Sequence, residues 1–261
     1  ALRLRQNLQY DWNSNVSTTL NLMYRNNTMD QNPSYSIGST SNPTKFRGQI
    51  NSNQFDAYVL DIQHSWNLQS LNSKLFFGGY WDFTPQNLVA NYIDIFKDTT
   101  IGKYTKYSYP TKDSLVTSYE TELNNKAIYA NYIFDINKYI RLNASIRYDD
   151  FTYLFNNQLR TGTPSANNHF TNWTPKLGIN YNKNQHGVYV NYSEGFVPPQ
   201  ITEIYNAIRV PFLLPQKFKN FEIGSWYQSK NIYAEVAIYQ LNGTNEIISV
   251  RQTDGVNLNQ N

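Results

Sequence analysis

The sequence predicts an all-β fold, a transmembrane antiparallel up-and-down β-barrel, and three observations point to it. From Tyr139 to Asp149 the apolar Ile140, Leu142, Ala144, Ile146 and Tyr148 alternate with Arg141, Asn143, Ser145, Arg147 and Asp149. A strand sends successive side chains to opposite faces, so this segment has one apolar wall and one charged wall. The same pattern recurs about ten times along the chain. Between the repeats short turns and long connections alternate, which is how a sheet closes in a bilayer with lipid outside and polar space within.

Taken in order, the expected strands run over 2–12, 16–26, 54–66, 74–83, 126–134, 139–151, 173–181, 188–196, 218–228 and 232–241. Each is about 9–14 residues, enough to cross a bilayer when tilted. In the first, Leu2, Leu4, Leu8 and Tyr10 oppose Arg3, Arg5, Asn7 and Gln9; in the second, Val16, Leu20, Leu22 and Tyr24 oppose Asn21 and Arg25. Turns near 13, 69, 136, 184 and 230 are short and rich in Asn, Lys and Ser, whereas 27–52, 84–125, 154–172 and 197–217 read as long loops. Loops of that length are uncommon in compact soluble domains. Trp12, Tyr24, Trp66, Trp81, Tyr148 and Tyr181 fall near strand ends, where aromatic girdles meet the lipid interface. Slipping the 139–151 strand by one residue would point Arg141 and Arg147 into hydrocarbon, at roughly 2–4 kcal/mol each near the midplane.

Composition narrows the function classes. The net charge of +3 is scattered rather than gathered on one face, which speaks against a nucleic-acid partner. With no cysteine there is neither a disulfide scaffold nor a thiolate metal site. His64, His169 and His186 are isolated, so no metal is expected. Neither a phosphate-cradling glycine loop nor a nucleophile elbow occurs, and Asp149 and Asp150 point to opposite strand faces, so neither an enzyme nor a cofactor is expected. Strand pattern begins at Ala1 and the chain stops at Asn261 in loop chemistry, so 1–261 is expected to be one partial barrel domain within a longer protein.

The stretch 84–125 is the place to look for binding. Tyr92, Phe96, Tyr104, Tyr107, Tyr109 and Tyr119 punctuate it, interleaved with Lys97, Lys103, Lys106 and Lys112. In an extracellular mouth these groups suit an anionic, partly aromatic ligand such as a ferric chelate. The alternative is a loop that packs on itself through its tyrosines. The inward Arg3, Arg5, Arg25, Arg141 and Arg147 either balance carboxylates within the barrel or meet groups on a plug.

Further along, Tyr192-Ser193-Glu194-Gly195-Phe196-Val197-Pro198-Pro199 and then Glu203-Ile204-Tyr205 resemble the barrel signature of TonB-dependent outer-membrane receptors. Leu214-Pro215-Gln216-Lys217 and Phe221-Glu222-Ile223-Gly224 are similar to that family's next motifs, as are Leu142–Asp149 and Thr174-Pro175-Lys176-Leu177-Gly178 upstream. Gln216 stands where the family has Glu, and Ser145 where it has Gly. The match covers about 125–224, and the strand rhythm extends over the whole chain. The resemblance implies a barrel of about 22 strands closed by an N-terminal plug, of which about ten are present here without the plug or the C-terminal strands. It implies residence in the Gram-negative outer membrane, contact with lipid, and TonB-dependent uptake of a ferric siderophore, haem or cobalamin, the TonB complex being reached through the plug. Of the motif residues, Gly195 and Pro198-Pro199 are expected to end a strand, and Glu222, between Phe221 and Ile223, to face the lumen with Arg141 and Arg147. A passive porin and a soluble β-rich binding domain are the competing readings.

Overall fold

The computed structural model describes residues 1–38, 44–109, 114–205 and 209–261. Its strands are β1 (Leu2–Asn13), β2 (Val16–Gly38), β3 (Lys45–Leu68), β4 (Ser73–Asp98), β5 (Lys103–Ser108), β6 (Leu115–Asp135), β7 (Ile140–Asn157), β8 (Ala166–Lys183), β9 (His186–Val197), β10 (Gln216–Gln228), β11 (Tyr233–Thr244), β12 (Ile248–Arg251) and β13 (Asn257–Gln260), with one short helix, α1 (Ile201–Ile204). One antiparallel sheet takes the order β1-β2-β3-β4-β6-β7-β8-β9-β10-β11, with β5 paired to β4 above β6, while β12 and β13 form a separate hairpin. Apart from β5, each strand on this path pairs with the next in the chain, so the topology is a meander. The sheet is open, β1 and β11 lying at its two edges.

The ten expected strands are the ten on this path. The long connections are not. Most of 27–52 and 84–125 is strand, because β2, β3, β4 and β6 run far past the length a bilayer needs. In these extensions the alternation that marks a strand with one apolar face fades. Asn51-Ser52-Asn53-Gln54, for instance, is polar at every position, yet each residue pairs in register with β4.

Direct cross-strand partners share a face, so the register resolves the two walls. One row runs Leu22–Leu60–Trp81, another Leu20–Ile62–Gly79–Ile128–Tyr148–Trp173, and a third Phe77–Ala130–Ile146–Pro175. Many residues of these rows are exposed large hydrophobics, among them Ile128 at 61% and Trp173 at 53%. Exposed apolar surface on this scale marks contact with something apolar. Ring contacts bound the band at two levels. At the short-turn end Tyr10 meets Trp12 (4.7 Å), Trp66 meets Phe77 (5.5 Å) and Tyr139 meets Tyr181 (6.4 Å). At the other end Tyr24 meets Tyr58 (5.2 Å) and Tyr148 meets Trp173 (4.7 Å). On β3, Trp66 and Tyr58 are separated by roughly 27 Å of strand, of the order of the ~25 Å band of an outer-membrane barrel. Aromatic pairs thus stand at two levels of the sheet.

Candidate functional site

The inward wall at band height carries fixed polar groups. Arg147 on β7 grips Asp149 with both forks, Nη2 to Oδ1 at 2.7 Å and Nε to Oδ2 at 2.8 Å, and its guanidinium lies 5.1 Å from the Tyr80 ring centre. Tyr129 donates to Asp61 at 2.9 Å, Tyr80 to Asp82 at 3.2 Å, and Asn21 to Asp61 at 3.2 Å. A hollow of about 430 Å³ lies among Asp61, Tyr80, Tyr129, Arg147, Thr174 and Lys176. Gly78 makes room for the Tyr129 phenol: a Cβ there would stand 2.6 Å from its oxygen. At the short-turn end Arg141 makes the same forked contact with Asp135, at 2.6 and 3.0 Å. Within this chain both arginines pair with carboxylates of the wall itself. Glu222 shares the face of Asn143 and Asn191 and accepts from the Tyr189 phenol at 2.9 Å.

Above the band, the segment after β9 folds back over the inner face of β7 and β8. The strand ends at Val197, and Pro199, fully buried, starts the return. Glu203 closes the first turn of α1, its Oε2 accepting from the Gln200 amide at 2.7 Å. Tyr205 stacks on Phe155 at 4.3 Å and 11°, and its hydroxyl donates to Asn168 at 2.6 Å. With Tyr153, Phe170, Ile204 and Leu213 these rings form the chain's hydrophobic core. Burial pushes the phenols of Tyr153 and Tyr205 up to about 12, so both stay neutral donors. The β12–β13 segment clasps this return loop, Arg209 pairing with Asp254 at 2.5 Å and Asn259 donating to the Glu203 carbonyl at 2.8 Å. Phe196 packs edge-on against Phe151 at 5.7 Å. Gly195 has nothing within 4 Å of where a Cβ would stand, so no close approach requires glycine there. Gly224 differs: a Cβ would sit 2.3 Å from the Tyr189 ring.

A family model described as "TonB dependent receptor-like, beta-barrel" matches residues 1–261. The chain belongs to the TonB-dependent receptor family. Among solved structures it is similar to the ferripyoverdine receptor of the Pseudomonas aeruginosa outer membrane, at TM-score 0.72 and 16% identity, over 95% of this chain and 33% of that one. It is also similar to the ferric citrate transporter FecA (TM-score 0.70, 14% identity, 97% and 36%) and to the copper transporter OprC (0.68, 13%, 99% and 41%). At such identities the likeness is one of fold. The chain spans 33–41% of the length of these three chains. No curated protein sequence matches it.

Within this receptor barrel the motif residues do structural work. Glu203, Tyr205, Pro199 and Phe196 hold the return loop to the inner wall. Tyr192 lies on the outward face opposite Phe221, with its hydroxyl on Glu194, and Gly224 receives the Tyr189 ring. Pro198 lies directly beyond the end of β9. Of the binding candidates, Tyr92 and Phe96 are on β4, Tyr104 and Tyr107 on β5, and Tyr109 directly follows it. They are not on a loop, and they do not converge. Register places Tyr92 with Gln49 and Phe96 with Lys106 on the inward face, but Tyr107 with Ile95 and Tyr104 with Lys97 on the other. The outward tyrosines, with Phe46 edge-on to Tyr104 at 6.0 Å beside the buried Ile93 and Ile95, are the self-packing alternative. Lys112 lies outside the described residues. Missed altogether were the inward cation–ring pairs Arg25–Phe55 and Arg47–Tyr92, each at 4.9 Å. Arg25 and Phe55 lie in strands the sequence already marks, and only the β2–β3 register brings them together; Arg47 and Tyr92 needed strand parity carried through 27–52 and 84–125.

Proposed function

We propose that the intact receptor, in the Gram-negative outer membrane, binds a ferric siderophore or related iron chelate at its extracellular mouth and imports it with energy from the TonB complex. The observation that carries this is the two-walled sheet: an outward apolar band between aromatic girdles, and an inward wall of fixed charges and donors rising into a tall extracellular face. Membership of the receptor family supports it, as does similarity to receptors named for ferripyoverdine and ferric citrate. Tyr92 and Phe96 are the predicted aromatic residues placed to meet a ligand in that mouth; Tyr104, Tyr107 and Tyr109 support the ribbon that presents them. Arg141, Arg147 and Glu222 shape the lumen below, where a plug would sit.

The test is growth of a deletion strain, complemented with the full-length receptor, on iron chelates, haem and cobalamin as sole sources, with and without TonB. TonB-dependent growth on an iron chelate is the expected result. Uptake that persists without TonB would make the protein a passive channel instead, and rescue by cobalamin alone would overturn the iron assignment.

A further inference from the structure

Near the short turns, two polar side chains interrupt the apolar outward wall. Tyr10, Thr18, His64 and Phe77 are successive cross-strand partners in the row that continues through Ala130 to Ile146. Thr18 and His64 are joined by a hydrogen bond, Oγ1 to Nδ1 at 2.8 Å, and the Trp12 indole donates to the same Oγ1 at 2.8 Å. Rings enclose the pair. His64 lies 5.3 Å from Phe77 and 5.6 Å from Trp66, and Tyr10 meets Trp12 edge-on. An indole N–H can only donate, a hydroxyl has one proton, and a neutral imidazole has one donor and one acceptor nitrogen. The tautomer that uses the Thr18 proton has it donated to Nδ1. His64 Nε2 then carries a hydrogen with no hydrogen-bond partner among the described residues. On a wall facing hydrocarbon such a donor is costly unless the bilayer supplies an acceptor.

Its level says which acceptor. On β3, His64 stands two residues above Trp66, roughly 7 Å along the strand. Trp66 belongs to the lower ring level, where aromatic side chains meet lipid headgroups. The imidazole is therefore within reach of phosphate and ester oxygens. Just above it the wall has a gap. Gly79 lies in register between Ile62 and Ile128, both exposed. Among the described residues a Cβ on Gly79 would meet only the Ala127 carbonyl at 3.8 Å and an Ile62 methyl at 3.9 Å. No packing within the chain requires glycine there. Ile62 and Ile128 flank it two strand spacings apart, about 10 Å. With Ala130 beside Phe77, Gly79 floors a furrow that leads up the band from His64 and has room for one acyl chain.

We propose that this patch is a specific site for one phosphoglycerolipid of the periplasmic leaflet. Its phosphate accepts from His64 Nε2, and one acyl chain lies in the furrow over Gly79 and Ala130. The lipid completes the Trp12–Thr18–His64 chain of hydrogen bonds and covers the gap in the outward wall. The proposal rests on the membrane placement above and is independent of what the receptor imports.

The experiment is native mass spectrometry of the delipidated full-length receptor, titrated with phosphatidylethanolamine or with diacylglycerol of the same chains. Diacylglycerol keeps the esters and lacks the phosphate. One phosphatidylethanolamine should be retained per receptor, and diacylglycerol about tenfold less, the difference expected for a charge-assisted hydrogen bond. His64→Phe, which keeps a ring and loses the donor, should lower retention by about the same factor. Gly79→Leu, which fills the furrow, should also lower it. Ile179→Leu, on the outward face of β8, should retain lipid as the parent does. Heat-shifted gel migration checks that each variant has folded. Equal retention by the parent and His64→Phe, an equal loss in Ile179→Leu, or equal binding of the two lipids overturns the site. A receptor dimer that dissolves in His64→Phe would put a second copy on this face and overturn it as well. In each of these cases residence in the outer membrane stands, whereas absence of the receptor from outer-membrane fractions would remove the placement itself.

Discussion

Ile146 offers the sharpest test of which wall meets lipid. It lies on β7 between Ala130 and Pro175 in register, inside the band and two residues below the upper ring pair at Tyr148, and is 45% exposed on the outward face. Replacing it with arginine would place a charge on the outward apolar face, at a cost of up to roughly 2–4 kcal/mol. That is about one and a half to three orders of magnitude in the folding equilibrium, a large fraction of the marginal stability of a domain. Asn143→Arg makes the same chemical change three residues away on the inward face, in the same cross-strand row as Asn191 and Glu222. There the new cation has polar surroundings and a nearby carboxylate, so the change should be tolerated. The assay is assembly of the full-length receptor in outer membranes, read by heat-shifted migration and by urea unfolding in vesicles. Equal assembly of the two variants, or failure of Asn143→Arg alone, would refute the register.

Other outcomes follow from the same geometry. Gly224→Val should destabilise the barrel by about 1–3 kcal/mol through overpacking against the Tyr189 ring, and a Tyr189→Ala background should relieve most of that loss in urea unfolding. Tyr205→Ala removes a buried stacked ring and should cost about 3–5 kcal/mol, seen as faster proteolysis of the 198–215 segment, whereas Tyr205→Phe removes a single hydrogen bond at about 1 kcal/mol. Because folding raises the Tyr205 and Tyr153 phenols to about 12, above their unfolded value near 10, their contribution is fully present below pH ~10. It is lost as pH climbs through 12, and protease resistance of the return loop should follow that course. Arg147→Ala leaves Asp149, 4% exposed, without its forked partner and should cost about 3–5 kcal/mol; an unchanged unfolding midpoint would show that water satisfies the carboxylate.

What the sequence displayed, and what it hid, follow from where lipid acts. Within the band an apolar residue stands at every second position, so Ile140–Asp149 and its counterparts could be read singly, and strand parity puts Arg141, Arg147 and Glu222 on the opposite wall. Above the band that alternation disappears. Residues such as Thr28, Ser52 and Asn87 sit in ladders whose faces are both polar, and the strands there looked like loops. The same loss hid the Arg47–Tyr92 pair, whereas Arg25 and Phe55, both in strands the sequence marks, meet only through the β2–β3 register. The partners of Arg141 and Arg147 were obscured for a different reason. Asp135 is a cross-strand neighbour, and Asp149 is two residues along the same strand, close enough for a long side chain to bend back onto it. The motif residues Glu203 and Tyr205 were recognisable in sequence, but their task of pinning the return loop depends on Gln200, Phe155 and Asn168 in three different segments.

The assignment of walls is tested most directly by site-directed spin labelling across 140–149 in the full-length receptor reconstituted in vesicles. This chain has no cysteine, so each introduced label is unique within it. Collision with oxygen, which partitions into lipid, should peak at 142, 144, 146 and 148. Collision with a water-soluble nickel chelate should favour 141, 143, 145 and 147. A period of two with the phases reversed, or no alternation at all, would contradict the account.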